Sequence, residues 1–117
     1  MTEIRDHQMP HGVTKISMDF IKANYQKIGE IVAVKITQED EMDLKTYVMG
    51  TSGTIVTDGF GVDYDREGST GLRTVLRTFS MLIDKQPSEV SLKDGDSYVW
   101  YVGRSSKKIV FNKKRPE

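Results

Sequence analysis

One amphipathic segment in the middle of the chain limits the possible folds more than any other feature. Its apolar residues recur at the spacing of a single helix face: Leu72, Val75, Leu76, Phe79, Leu82 and Ile83. Pro87 bounds the segment, because the residue before a proline is pushed out of helical geometry. The pattern predicts one central helix after residue 71 that packs by one face, with Met81 on its exposed side.

Short β-branched segments separated by turn residues lie on both sides of this helix. They predict strands over residues 30–37, 44–49, 54–57 and 60–64, and again over 90–92, 97–102 and 107–112. In the first strand, Val32, Val34 and Ile36 share one face. The order predicts an α+β fold: an antiparallel β-meander, the central amphipathic helix packed across one face of the sheet, and a C-terminal β-hairpin.

The segment that begins near Ser17 allows two interpretations. Apolar residues at helical spacing, with Ser17 as the N-cap and Gly29 as the stop, predict a short N-terminal helix. Alternation through Ile16, Met18 and Phe20 would instead predict an extended segment. We favour the short helix.

Length and composition indicate one ordinary globular domain. The 117 residues predict a flexible N-terminal arm over 1–12, a single α+β domain over 13–112 and a charged C-terminal tail over 113–117. Lys and Arg number 17, as do Asp and Glu, so no strong overall charge attracts nucleic acid or membranes. Without an apolar leader or a run of about 20 apolar residues, a cytoplasmic location is expected.

The start of the central helix carries the strongest functional hint. Gly68-Ser69-Thr70-Gly71 is interpreted as a turn that would aim backbone N–H groups and the helix dipole at an anion. Ser69, Thr70 and Gly71 would hold a phosphate, with Arg73 and Arg77 as neighbouring counter-charges one helical turn apart. In the alternative interpretation, Asp65 and Glu67 neutralise the arginines and Ser69 is only an N-cap.

A second hint lies in the C-terminal region, where aromatic and basic residues are interleaved. Bases of nucleotides and single strands stack on strand aromatics that have cations beside them. The basic residues, with no acid among them, are Arg104, Lys107, Lys108, Lys113, Lys114 and Arg115. Trp100 or Tyr101, together with Arg104, would stack on a base if the hairpin folds beside the helix start.

Nothing in the sequence indicates catalysis or a metal. The chain has no cysteine, and its two histidines, His7 and His11, lie in the arm with Pro10 between them. The acidic run 39–43 lacks an EF-hand pattern and is interpreted as a hairpin turn, and Asp63 and Asp65 as surface acids. We therefore expect no enzymatic activity, no metal and no cofactor.

These observations predict a small binding protein for a phosphate-bearing ligand, a nucleotide or short single-stranded nucleic acid, at the N-terminus of the central helix. The alternative is a protein–protein interaction module or inhibitor that occupies the surface of a partner protein. A homo-oligomer is compatible with either, because an open sheet edge invites self-pairing.

Overall fold

A six-stranded mixed sheet, open at both edges and accompanied by two helices, forms the body of the protein and confirms the α+β class. The computed structural model describes residues 2–40, 43–63 and 66–110. The strands are β1 (Thr2–Arg5), β2 (Ile31–Asp40), β3 (Asp43–Gly50), β4 (Gly53–Thr57), β5 (Ser97–Tyr101) and β6 (Lys107–Ile109). The helices are α1 (Thr14–Asn24) and α2 (Arg66–Thr78).

The sheet runs in the order β1-β4-β3-β2-β5-β6. Neighbouring strands are antiparallel except for β1, which lies parallel to β4 at one edge. The strand β1 falls in the segment that the sequence assigned to a flexible arm. Its Ile4 lies opposite Ile55 and packs against the core. A parallel pair is joined by a long connection and not by a hairpin turn, so no local turn signal marked this strand.

Both helices pack against one face of the sheet. The apolar residues Val34, Val48 and Ile55 of this face are fully buried. They belong to a single core cluster with Leu72, Val75 and Leu76 of α2 and Ile21 of α1. The predicted apolar stripe of the central helix therefore does provide the layer that covers the sheet.

The bounds of α2 differ from the prediction at both ends. The helix begins at Arg66, so residues 68–71 are helical and do not form a turn. It ends at Thr78, because Ser80 adopts a left-handed φ of 60°. Ser80 N–H donates to Arg77 O at 3.1 Å and Met81 N–H to Leu76 O at 2.9 Å, the two bonds of a Schellman motif. The motif buries Met81, so its predicted exposure was wrong.

The N-terminal helix is present and begins earlier than predicted, at Thr14. Ser17 is not its N-cap. It lies inside α1, fully buried, and its Oγ accepts the N–H of Gly59 at 2.8 Å and contacts Thr57 Oγ1. Gly29, with a φ of 80°, follows a 3₁₀ turn over Tyr25–Ile28.

Three strand predictions need correction. Phe60 and Val62 are buried in the core but lie in the connection from β4 to α2 and in no strand. Residues 90–92 form no strand either, because they follow a 3₁₀ turn that Pro87 starts. Val32 lies at a register shift between Ile31 and Ala33 and is half-exposed, so it does not share the buried face.

Two predictions lie outside the described residues: Asp65 as a neutralising acid and the charged tail over 113–117. The prediction of a last strand over 107–112 was wrong at its end, because β6 ends at Ile109 and Val110 is not part of it. Within the described residues, neither helix has the length and apolar character that crossing a bilayer requires.

Candidate ligand-binding face

The face of the sheet opposite α1 and α2, here called the open face, carries one row of side chains across all six strands. Strand register aligns, from edge to edge, Arg5, Val56, Tyr47, Lys35, Val99 and Lys107. We call these six residues the cross-strand row. With strands about 4.8 Å apart, the row is about 24 Å long. It places three cations and one aromatic ring on a single surface, and one of the cations, Arg5, forms an ion pair with Glu3 of the same strand.

No helix of the described residues covers this face. Its buried apolar residues Ala33, Val56 and Val99 are not members of the core cluster that the helices complete. Val56 is 2% exposed and Val99 is 4% exposed although they lie on this face. In the row, Val99 lies between Lys35 and Lys107, and Val56 lies between Arg5 and Tyr47. Long basic side chains can cover apolar surface with their methylene groups while the charge stays in water. The cations are therefore part of how the face is built.

Two tyrosine rings on the open face each have a cation above them. Lys35 Nζ lies 4.8 Å from the centre of the Tyr47 ring, and Arg104 Cζ lies 4.0 Å from the centre of the Tyr101 ring. Tyr101 is opposite Ala33, in the row next to that of Tyr47. No acidic group among the described residues forms an ion pair with Lys35, Arg104 or Lys107. Ring faces thus occur twice with a cation that is in no ion pair, although the Glu39 carboxylate lies close to the first ring, at the Tyr47 hydroxyl.

The hydroxyl group of Tyr47 is held by a carboxylate. Tyr47 Oη donates to Glu39 Oε2 at 2.7 Å. Burial, followed by this hydrogen bond and the charge of Glu39, raises the pKa of Tyr47 from 10.0 to about 12. The bond fixes the phenol at one end of the ring while Lys35 lies over its face, so the ring orientation is set from two sides.

We expect Tyr47 to titrate near pH 12 in the native protein. A raised pKa favours the neutral phenol, so Tyr47 stabilises the fold below pH 10, and this contribution is lost as the pH rises from 10 towards 12. Glu39→Gln should lower the pKa of Tyr47 but leave it above 10, because burial remains the largest cause. Tyrosine ring NMR, assigned with Tyr47→Phe, measures both values. Titration of native Tyr47 near pH 10 would contradict the hydrogen bond.

The predicted site residues on the central helix are not at the open face. Ser69 is buried and takes part in an interaction within the protein, and Thr70 is exposed. Thr70 and Gly71 are the fifth and sixth residues of α2, beyond the four whose N–H groups a helix leaves free. Arg73 and Arg77 are exposed, and no described acid pairs with them. Their role in ligand binding stays a prediction.

Close packing explains one of these residues. A Cβ atom at Gly71 would overlap Thr14 Cγ2 and lie 3.2 Å from the Phe60 ring. Gly71 is thus a point where α1 and α2 approach each other closely, and its lack of a side chain serves this contact. A glycine at such a crossing looks in sequence like a glycine in a turn.

The aromatic residues of β5 divide between the two faces. Trp100 is fully buried in the core beside Tyr98, with ring centres 4.8 Å apart, and its Nε1–H donates to Lys85 O at 2.8 Å. Tyr101 and Arg104 lie together on the open face. The structure therefore brings Tyr101 and Arg104 together, as predicted. It separates them from Trp100 and from the predicted phosphate-binding residues of α2.

A cavity of about 450 Å³ opens beside the open face, between the loop after β1 and the ends of β3 and β4. We call it the edge cavity. Arg5, Lys45 and Val56, which belong to the open face, also line it. Both histidines line it too, and His11 Nδ1 lies 3.0 Å from Asp58 Oδ2. Asp58 Oδ1 accepts the N–H of Gly12 at 3.1 Å, so one carboxylate attaches this loop to the end of β4.

In the described part of the chain, no three His, Asp or Glu side chains are arranged to hold a metal ion. The edge cavity instead mixes carboxylates, imidazoles and cations. Each of its three aspartates already accepts a bond: Asp58 as described, Asp6 from the N–H of Gln8 at 3.0 Å, and Asp43 from Lys45. A carboxylate can accept more than one hydrogen bond, so the arrangement suits a polar ligand with hydrogen-bond donors.

Sequence reasoning missed Arg5, Lys35 and Tyr47. A signal existed for two of them, because Lys35 and Tyr47 interrupt apolar runs at the alternate positions of β2 and β3 and so had to lie on the second face. Arg5 gave no such signal, since its strand was not recognised. Comparison with protein families, with curated proteins and with solved structures finds no match for this chain.

Proposed function

We propose that the protein binds a phosphate-bearing ligand, a short single-stranded nucleic acid, across the open face of its sheet. The observation that carries the proposal is the cross-strand row, in which the cations Arg5, Lys35 and Lys107 alternate with apolar and aromatic side chains on a face without a helix. A mononucleotide would meet one cation of the row, whereas a strand can meet all three.

The pairing of rings with cations supports a single strand in particular. Unpaired bases expose their faces and stack on aromatic side chains, and each such stack contributes about 1–3 kcal/mol. Because a cation already lies over one face of each ring, a base would stack on the other face of Tyr47 or Tyr101, or on the guanidinium plane of Arg104 itself. Its phosphate would then lie near Lys35 or Arg104. A duplex offers no free base faces to these rings. Binding is proposed without catalysis and without a cofactor.

Two double variants with the same change in charge test where the ligand binds. Lys35→Gln/Arg104→Gln removes two cations from the open face, and Arg73→Gln/Arg77→Gln removes two from α2 on the other side of the sheet. With a fluorescent single-stranded hexanucleotide, we expect the first variant to weaken binding at least about tenfold and to reduce the salt slope by about 1.4, since each single-strand phosphate contact contributes about 0.7. The second variant should bind like the native protein.

The other outcomes are equally informative. Loss of binding in the α2 variant alone would place the ligand at the helix arginines. Unchanged binding in both variants, or no binding by the native protein at low salt, would refute the proposal.

A second candidate function is contact with a protein partner. Val32, Leu82 and Val102 are 44%, 44% and 48% exposed. Backbone bonds bring them together: Val102 N–H donates to Val32 O at 3.4 Å, and Leu82 N–H to Tyr101 O at 2.9 Å. This aliphatic group could pair with a second copy of the chain. Sedimentation velocity of native protein and Leu82→Asp tests it, since a dimer that the variant loses would support this surface and a native monomer would not.

A further inference from the structure

We infer that the edge cavity accepts a nucleobase with an exocyclic amino group, at one end of a nucleic acid strand bound along the cross-strand row. The inference rests on the proposed function for the strand. It adds a base-selective site that the row itself does not supply, because phosphate contacts carry no sequence information.

The cavity is continuous with the row. Arg5 is the last residue of the row, on β1, and it also lines the cavity. Val56 and Lys45, which lie on the open face, line the cavity as well. A strand that follows the row towards β1 therefore reaches the mouth of the cavity. At about 450 Å³ its volume lies within the range of small-ligand sites.

Charge decides which part of the ligand enters. The permanent cations Arg5 and Lys45 are outnumbered by the carboxylates Asp6, Asp43 and Asp58. These fixed charges therefore disfavour a phosphate in the cavity. A nucleobase is uncharged, and its amino group donates hydrogen bonds that carboxylates accept.

Acceptors remain for such a donor. Asp43 contacts Lys45 through Oδ1 only, and no described residue bonds its Oδ2. His11 uses Nδ1 towards Asp58, which leaves Nε2, and His7 has no hydrogen-bond partner among the described residues. Cytosine and adenine carry an amino group where uracil and thymine present a carbonyl oxygen, which a carboxylate repels. The cavity is expected to prefer cytosine or adenine over uracil.

Nucleosides test the cavity without any phosphate. The chain has two histidines and both line the cavity, so their imidazole NMR signals report on it directly. Cytidine should shift both signals to a saturating end point, and uridine should leave them unchanged. Equal shifts with the two nucleosides, or none with either, would overturn the inference.

Hexanucleotides separate this inference from the proposed function. An oligouridylate with one terminal cytidine should bind about tenfold tighter than oligouridylate itself, the discrimination of one hydrogen-bonded base contact. Asp43→Asn should reduce that preference without weakening oligouridylate binding. Asp94→Asn is the same substitution at an exposed position outside the cavity lining and off the cross-strand row, and it should keep the preference.

The failures differ in kind. Hexanucleotide binding without a cytidine preference would overturn the cavity inference and leave the proposed function standing. Cytidine-specific histidine shifts without any hexanucleotide binding would overturn the proposed function and leave the cavity as a nucleobase site.

Discussion

Trp100→Ala is expected to lower the free energy of unfolding by about 4 kcal/mol, the cost of deleting a large buried aromatic side chain. Trp100 has no exposed surface, faces Val34 across the strands and lies against Tyr98. The substitution also leaves Lys85 O without the indole N–H at 2.8 Å. Urea unfolding followed by circular dichroism measures the change, since fluorescence would lose the chain's one tryptophan.

Two further variants make the result interpretable. Trp100→Phe keeps most of the volume and loses the hydrogen bond, so it should cost about 1–2 kcal/mol and remain measurable if Trp100→Ala does not fold. Tyr101→Ala, on the open face, should do the reverse: little loss of stability and weaker hexanucleotide binding. If Trp100→Ala has near-native stability and binds the ligand more weakly, Trp100 is a ligand-binding residue and does not lie in the core.

Gly59→Ala is expected to cost about 3 kcal/mol, at the upper end of what overpacking costs. Gly59 follows β4 and contacts α1: its N–H donates to Ser17 Oγ at 2.8 Å, and its carbonyl accepts from Thr14 Oγ1 at 2.6 Å. A Cβ atom there would lie 2.6 Å from the carbonyl carbon of Val13, where real contacts do not fall below 3.0 Å. Because the obstacle is backbone, it cannot rotate away, so α1 must shift from the sheet.

Gly103→Ala is the matched control for this substitution. Gly103 has a φ of 74°, and no atom lies within 4 Å of the place that a Cβ atom would take, so the new side chain meets conformational strain alone, about 1 kcal/mol. Urea unfolding of both variants separates the two causes. If Gly59→Ala and Gly103→Ala lower the free energy of unfolding by the same amount, the close approach of α1 to Gly59 is not rigid.

The helices and strands that could be recognised from sequence are those with a strong local pattern. The stripe from Leu72 to Leu76 predicts α2 because its spacing matches the helix repeat. The C-terminal end of α2 could not be predicted from the sequence, because the apolar pattern continues beyond Thr78. The helix ends there because Ser80 adopts a left-handed conformation. The strand β1 could not be read either, because its partner β4 is some 50 residues away and only their pairing makes Thr2–Arg5 extended.

In the candidate site too, contacts between residues close in sequence could be predicted, and contacts between distant segments could not. Sequence reasoning predicted a phosphate-bearing ligand from local neighbours, Ser69 with Arg73 and Tyr101 with Arg104. The contact between Tyr101 and Arg104 exists because they are three residues apart at the end of one strand. The cross-strand row joins residues as distant as Arg5 and Lys107, and only the strand register aligns them.

The amino-acid sequence by itself determined the α+β class, the presence of both helices and the apolar face of α2, because these follow from periodicities within one short segment. The tertiary structure decided which face of β5 meets the core, that Gly71 serves a helix crossing, and that Arg5, Lys35 and Lys107 share one surface. Such relations depend on pairings between distant segments, whose free energies are realised only when the whole sheet is assembled.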